Sequence, residues 1–439
     1  MARLQAYGKT NQSIPKSTIK VFKFGGASVK DATAVKNVAQ ILTLFKKQKL
    51  AVVVSAMGKT TNALEKVVSA YMKKDGDVRA LLDEIKTFHT DIIDHLGFKA
   101  GDEIYGDVEN SFVEIDWVLE DEPTREYGFY YDQIVSQGEL ISTKIVSAYL
   151  NLAGVKNTWL DIRDVLFTDN TYREGKVDWD LTTKLVGTKI PALLEKTDIV
   201  LTQGFIGSTS ENFTTTLGRE GSDYTAAILS FCLNAEEMIV WKDVSGVMSA
   251  DPKRSDDAMK LDQISYHDAI ELTYYGATVI HPKTIKPLEN KNIPLRVCSF
   301  KAPADKGTSI GNYQATKPLV PCFIYKDDQI LFSISSKDFS FIAEESMSMI
   351  FGIFAKHKIK INLMQNSAVS FSVCVDNDPY KIPALLDELK NEFRVLYNSD
   401  LKLVTVRHYY PSTIEQLIKG RKVLLEQRSR QTAQVVLAE

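Results

Sequence analysis

The sequence predicts a mainly parallel α/β domain, with helices on both faces of its sheet, followed by a smaller α+β region. Three observations carry this. Short apolar runs alternate with helically spaced stretches through residues 18–310. The run Leu50-Ala51-Val52-Val53-Val54-Ser55-Ala56 is apolar without alternation, as a strand covered on both faces reads. Residues 317–439 then change to a βαββαβ order.

Residues 1–17 are polar, and fraying is expected there. Ile19 to Phe24 reads as a buried strand, and Gly25-Gly26 as a sharp turn that allows close backbone approach. Ser28 with Asp31 three residues on reads as a capping-box start, with Val35, Val38, Leu42 and Phe45 at helical spacing. Such a strand–turn–helix unit aims free N–H groups at one point where an anion can sit. Lys23 adds a full charge beside it. An ordinary turn with a surface lysine fits this stretch equally well. Gly58-Lys59-Thr60 suggests a nucleotide P-loop, but the first glycine of that motif would fall at Val53, inside a strand, so the P-loop is rejected.

Residues 63–130 are mostly helical in period and read as an insertion that forms a lid or a dimer surface. Glu139 opens the next helix, where a carboxylate suits the dipole. Strand-like runs recur at 158–162, 199–202 and 238–241. A second glycine-rich turn, Gly218-Arg219-Glu220-Gly221-Ser222, opens a helix at Ser222 or Asp223. Arg219 offers a planar fork of donors for a carboxylate or phosphate, and Asp223 is placed to hold Lys23. Asp243 and Asp251-Pro252 read as turn chemistry, and His281 before a proline as a hydrogen-bonded structural residue.

The hydrophobic fraction is 44%, the charged fraction 25% and the formal net charge −3, which is ordinary for a globular chain and provides no basic field for nucleic acid. No apolar run is long enough to span a bilayer, and the polar start lacks a signal-peptide core, so a cytoplasmic location is expected. The four cysteines (Cys232, Cys298, Cys322, Cys374) are far apart without metal-ligand spacing and read as small core residues.

Seven blocks occur in order: KFGGAS at 23–28, VSAMGKTTN at 54–62, QGEL at 137–140, GFIG at 204–207, TTLGREGSD at 215–223, WKDVSGVMSADPK at 241–253 and GATVIHPKT at 276–284. On these the chain resembles the aspartate kinases of the amino-acid kinase superfamily. The resemblance implies an amino-acid kinase fold over 18–312 and transfer of the ATP γ-phosphate to the side chain of L-aspartate, with Mg²⁺ bridging phosphates. It implies that Lys23, Gly25, Gly26 and Ser28 bind phosphate, with Lys23 and Asp223 catalytic. Ser55, Thr61, Glu139, Phe205, Arg219 and Ser222 would bind aspartate. Lys242, Asp243, Met248, Lys253 and Thr278 would bind nucleotide. Ala27, Lys242, Met248, Lys253 and Thr278 depart from the usual family residues, mainly on the nucleotide side.

The C-terminal region resembles a pair of ACT regulatory domains, one at 329–398 inserted into a truncated second made of 320–326 plus 400–439. This implies an amino-acid effector at the ACT interface, a homodimer or higher homo-oligomer, and a feedback-regulated first step of lysine, threonine and methionine biosynthesis. Asn362 and Ser367 are the effector candidates. Lysine-sensing members usually carry carboxylates where Asn362 and Ala368 stand, so the identity of the effector stays open. A catalytically weak amino-acid sensor and a kinase for a different acid are the other readings.

Overall fold

The structure, a computed structural model, describes residues 17–277, 280–338 and 340–438. The chain packs as two units. One ends at Gly246 and resumes over Ile280–Tyr313; the other takes Val247–Val279 and the chain from Gln314 on. Residues 247–279, inside the expected 18–312 domain, thus pack with the C-terminal strands. The Phe323 N–H donates to the Ser249 carbonyl at 2.7 Å, and the Arg407 guanidinium to Asp268 at 2.8 Å. Apolar periodicity marks an element but cannot say which sheet it joins.

In chain order the first unit opens with β1 (Ile19–Phe24), α1 (Ala32–Thr43), β2 (Lys49–Val54) and α2 (Thr60–Lys73). The helical insertion continues as α3 (Val78–Leu96), α4 (Glu103–Glu120), α5 (Tyr127–Val135) and α6 (Gln137–Leu152). Then come β3 (Thr158–Leu160), α7 (Trp179–Lys196), β4 (Ile199–Gln203), β5 (Ile206–Ser208), β6 (Thr214–Thr216), α8 (Gly221–Leu233) and β7 (Glu237–Lys242). The second unit contributes β8 (Gln263–Ser265) and α9 (Tyr266–Tyr275) before the first resumes with α10 (Pro282–Asn290), β9 (Leu295–Ser299) and β10 (Thr308–Gly311). His281 caps α10, its Nδ1 accepting from the Lys283 N–H.

The sheet of the first unit runs β3-β4-β2-β1-β7-β9-β10, parallel except for β10. Its strands are apolar on both faces. Phe22, Phe24, Val52, Val54, Ile239 and Trp241 bury against helices α1 to α6. The alternate residues face the other way, where α8 lies against β1, β2 and β7. This alternation aims Lys23 at α8.

Two local expectations are corrected. Ser28 does not cap a helix: Gly26–Val29 is a short 3-10 turn, and Asp31 caps α1, its carboxylate accepting from the Ala34 N–H at 2.8 Å. The α-helical dipole thus starts past the glycines. The reason is Gly26, where a Cβ would stand 2.8 Å from the Ala56 carbonyl oxygen; this close approach sends the chain into a tighter turn. Phe45 falls after α1 ends at Thr43, yet its ring still packs on Phe22 at 4.8 Å. Helix α8 opens at Gly221, one residue early, with Glu220 in the left-handed region at φ 54°.

The second unit completes with β11 (Cys322–Ser335), α11 (Glu344–Lys356), β12 (Ile361–Asn366), β13 (Phe371–Asp376), α12 (Ile382–Glu392), β14 (Arg394–Arg407), α13 (Pro411–Ile418), β15 (Lys422–Arg428) and β16 (Thr432–Ala438). They form one antiparallel sheet, ordered β12-β13-β11-β14-β16-β15. The stretches 321–325 and 329–335, expected as two strands, form one continuous β11, and the strand expected over 401–409 begins earlier, at Arg394. Each carries the seam in its middle: the β11–β14 register shifts between Lys326 and Leu331, and Asp328 and Asp400 have φ of 50° and 57°. On one side of the seam α11 and α12 pack on Ile330, Phe332 and Ile334; on the other Ile414 of α13 packs on Val404 and Val406. Bulges twist a ladder without ending it, which is why two half-repeats share strands.

Candidate functional site

Lys23, near the end of β1, is 9% exposed. Its ammonium stands 2.6 Å from Oδ1 of Asp223 in the first turn of α8, and the Lys242 ammonium at the end of β7 lies 3.6 Å from Oδ2. Burial pushes the Asp223 carboxyl up, but Lys23 and Lys242 outweigh it and hold the group below its ordinary range. Two ammonium groups against one carboxylate leave a net positive charge at the strand ends, where open α/β sheets bind ligands.

The approach of α8 to the sheet depends on glycine. A Cβ on Gly204 would lie 2.4 Å from the Ser222 Cβ, and one on Gly221 2.6 Å from the Phe205 ring. Phe205 itself adopts φ 70°, with its N–H donating to the Thr225 hydroxyl at 3.0 Å. A bulky residue held there is strained backbone at the cavity wall.

Glu139 sits in the first turn of α6 at 3% exposure. Burial raises its carboxyl to about 8, against the opposing pull of the Ala56 backbone and the Lys23 charge. Its Oε2 is buried and has no hydrogen-bond partner among the described residues. An ionisable group with one oxygen still unpartnered is a ready acceptor for a cationic ligand.

These residues line one cavity of about 990 Å³. From the sequence-predicted set it gathers Lys23, Gly26, Ser55, Thr61, Glu139 and Phe205, with Arg219 and Ser222 of the second glycine turn, Asp223 of α8 and Lys242 at the end of β7. Lys23 and Arg219, far apart in sequence, share it. Gly25 is outside the lining, though a Cβ there would crowd the Lys23 ammonium at 3.3 Å.

Other expected residues are placed elsewhere. Ser28 is buried and donates to the Trp241 carbonyl, so its hydroxyl is committed to the fold rather than to the cavity. Asp243 is exposed and outside the lining. Met248 and Lys253 belong to the second unit: the Met248 backbone bridges to Lys260, and the Lys253 N–H donates to Asp251 in an Asx turn. Thr278 lies outside the described residues, as do the expected frayed residues 1–16. Asn362 is already engaged: its Oδ1 accepts from the Lys326 ammonium at 2.8 Å, and its Nδ2 donates to Gln329 and Asp376, both at 2.9 Å. Ser367 pairs with Ser370 in the turn after β12.

Sequence reasoning missed one wall of the cavity. Thr171, Tyr172, Arg173 and Glu174 come from a polar loop, and Tyr131 from α5. The Arg173 guanidinium stacks 4.7 Å over the Tyr131 ring. Nothing in the periodicity of 168–176 marks it; a positive φ at Arg173 is a tertiary feature.

The amino acid kinase family matches residues 18–299, and the chain belongs to that family. Its nearer kinship is with the aspartokinases. It is 33% identical over 401 residues to lysine-sensitive aspartokinase 3 of Escherichia coli K12, covering 89% of this chain and 87% of that one. It is 30% identical over 422 residues to aspartokinase 1, chloroplastic, of Arabidopsis thaliana, covering 92% and 69%. Against the bifunctional aspartokinase/homoserine dehydrogenase 2 of the same plant it is 28% identical, spanning only 42% of that relative. Among solved structures, E. coli aspartokinase III with lysine and aspartate in the T-state superposes with a TM-score of 0.83 at 28% identity, over 96% of both chains. The R-state of that enzyme with aspartate and ADP gives 0.79 at 28% identity, over 95% of this chain and 96% of that one.

Proposed function

We propose that this chain is an aspartate kinase that transfers the γ-phosphoryl group of ATP to the side-chain carboxylate of L-aspartate, giving 4-phospho-L-aspartate and ADP. One observation carries the reading: a net positive lysine–aspartate cluster, a guanidinium and a buried carboxyl with one oxygen unpartnered among the described residues share a single cavity. Aspartate has two carboxylates and an ammonium. Arg219 would take the α-carboxylate and Glu139 the ammonium, leaving the side chain directed at Lys23 and Lys242. That carboxylate is ionised at neutral pH and is itself the nucleophile, so no general base is needed. The residues supply position and charge, which is most of what phosphoryl transfer asks of a protein. Lys23, steered by Asp223, would neutralise charge on the transferring group; Gly26 keeps the backbone close to it, with Ser55, Thr61, Phe205 and Ser222 shaping the aspartate end.

Magnesium fits as part of the substrate. Among the described residues no three His, Cys, Asp or Glu side chains gather as a metal site, and the cluster at the strand ends is cationic. The ion would enter as MgATP, held by phosphate oxygens. A cytoplasmic location is part of the same reading; among the described residues no helix is long and apolar enough to cross a membrane. As the entry step to lysine, threonine and methionine, the reaction would be open to amino-acid feedback through the C-terminal sheet, in a homo-oligomer.

The test is ATP-dependent formation of aspartyl hydroxamate in hydroxylamine. Lys23→Ala is expected to lower kcat by about 10²–10³-fold, the scale of losing one charge-stabilising donor. Arg219→Ala is expected to raise KM for aspartate. Binding of aspartate without turnover would instead support the sensor reading, and preference for glutamate a different acid.

A further inference from the structure

Asp132 is fully buried near the end of α5 and has no part in the chemistry above. Three donors converge on its carboxylate. Oδ2 accepts from the backbone N–H groups of Arg173 and Thr216, each at 2.9 Å, and Oδ1 accepts from the Thr216 hydroxyl at 2.7 Å. Two separate segments of the cavity wall meet at this one group. Arg173 belongs to the missed loop, and Thr216 ends β6 just before the turn that carries Arg219. The Gly175 N–H donates to the Thr216 carbonyl at 2.8 Å and closes the link from the other side.

The neighbouring residue shows why a carboxylate stands here. Gln133 donates from its amide to the Thr214 carbonyl at 2.8 Å and accepts from the Thr214 N–H at 3.2 Å. Thr214 presents one donor and one acceptor, so a neutral amide matches it. The two backbone N–H groups on Asp132 can only donate, and the Thr216 hydroxyl donates to it as well, so an ionised carboxylate accepts all three. A buried carboxylate without a cation at hydrogen-bond distance is expensive for a fold to keep.

We propose that Asp132 is a positioning residue for the aspartate end of the site, fixing the Thr216–Arg219 segment against the Arg173 loop and so setting where the Arg219 guanidinium stands. The proposal deepens the aspartate reading and rests on it. Burial raises the Asp132 carboxyl to about 6, against the pull of the Arg173 and Thr216 donors and the Arg173 charge. The other titratable groups that feel it are Tyr131 on its own helix and Tyr172 in the loop. Burial raises both phenols, Tyr131 to about 12, so they stay neutral through the acid range. Protonating Asp132 removes its charge and forces the Thr216 hydroxyl to reverse its role, so the hub is held by weaker, neutral hydrogen bonds.

Asp132→Asn makes the same change permanently. The expected result is a rise of about tenfold or more in KM for aspartate, with kcat and KM for ATP within about threefold. The steepening of the wild-type rise in aspartate KM as pH falls below about 6 should be lost in the variant, leaving the slope that Glu139 contributes. An aspartate KM within about twofold of wild type across that range, in a variant that melts like wild type, overturns the proposal. Where Asp132→Asn fails to fold, amide hydrogen exchange on Thr216→Val, which removes one donor, takes its place and needs no substrate. Faster exchange in the Arg173 loop is expected; unchanged exchange there overturns the coupling. Wild-type protein that turns over no aspartate would remove the reading of the site but leave the exchange result standing, so the two failures are distinguishable.

Discussion

Glu139 concentrates the chemistry at the scale of one residue. The unfolded chain holds this carboxyl at its ordinary 4.5 and the fold raises it to about 8. Between those values the unfolded state releases its proton first, so stability falls as pH rises through the window. Glu139→Gln removes the effect. Without substrate it should stabilise the protein by ~2–4 kcal/mol above pH 8 and by almost nothing near pH 5, read from melts at the two pH values. On the proposed reading, an aspartate ammonium beside Glu139 reverses the balance by favouring the ionised form. Aspartate KM should therefore fall as pH rises toward 8 in wild type, and Glu139→Gln should lose both affinity and that slope. The residue type and its place at a helix start were visible in the sequence. Its burial was not, and burial is what moves its proton.

At the scale of elements, the site exists because two strand–turn–helix units close on each other. β1 delivers Lys23 and α8 delivers Asp223, and Gly204 lets the start of α8 reach the sheet. Gly204→Ala puts a methyl 2.4 Å from the Ser222 Cβ, so the helix start must move. A loss of ~1–3 kcal/mol of stability is expected from overpacking, with a larger fall in kcat because Asp223 shifts with Ser222; melts and hydroxamate rates on one preparation check both. The glycine turns and their order along the chain were legible, since glycine and cation patterning is local. The first turn was misjudged at Ser28, because the close approach of Gly26 to Ala56 involves a distant part of the chain. The Arg173 loop stayed hidden for the same reason: a polar loop becomes a wall only when a buried carboxylate from another helix gathers it.

At the scale of the whole molecule, the second unit is held by a buried ion network. Arg407, 3% exposed on β14, donates to Asp268 of α9 at 2.8 Å and to Glu271 at 3.3 Å, and the His408 ring lies 3.2 Å from Asp268. Burial pushes the Asp268 carboxyl up, but hydrogen bonds from His408, Thr316 and Arg407 outweigh it and hold it well below the carboxylate range. A depressed carboxyl contributes stability above its unfolded value of 3.8 that is lost as pH falls through the folded one, so acid should loosen this unit. Arg407→Met leaves two carboxylates without their partner and should destabilise by ~3–5 kcal/mol, visible as an earlier transition by calorimetry. Regulation belongs to this scale too. Lys326 donates its ammonium to Asn362, and if the proposed effector site lies there an amino acid would compete with that bond. Lys326→Ala should raise sensitivity to added amino acids, measured as inhibition of hydroxamate formation by a panel of lysine, threonine and methionine.

The sequence by itself determined the class of fold, the two glycine turns and the residue types at the phosphate and aspartate ends. These depend on period, backbone freedom and charge, which are local properties. Tertiary structure decided which groups are buried, that 247–279 packs with the C-terminal sheet, and that Asp132 joins two walls of the cavity. A proton's affinity and a loop's position depend on what the rest of the chain brings within a few ångströms, and no stretch of sequence carries that distance.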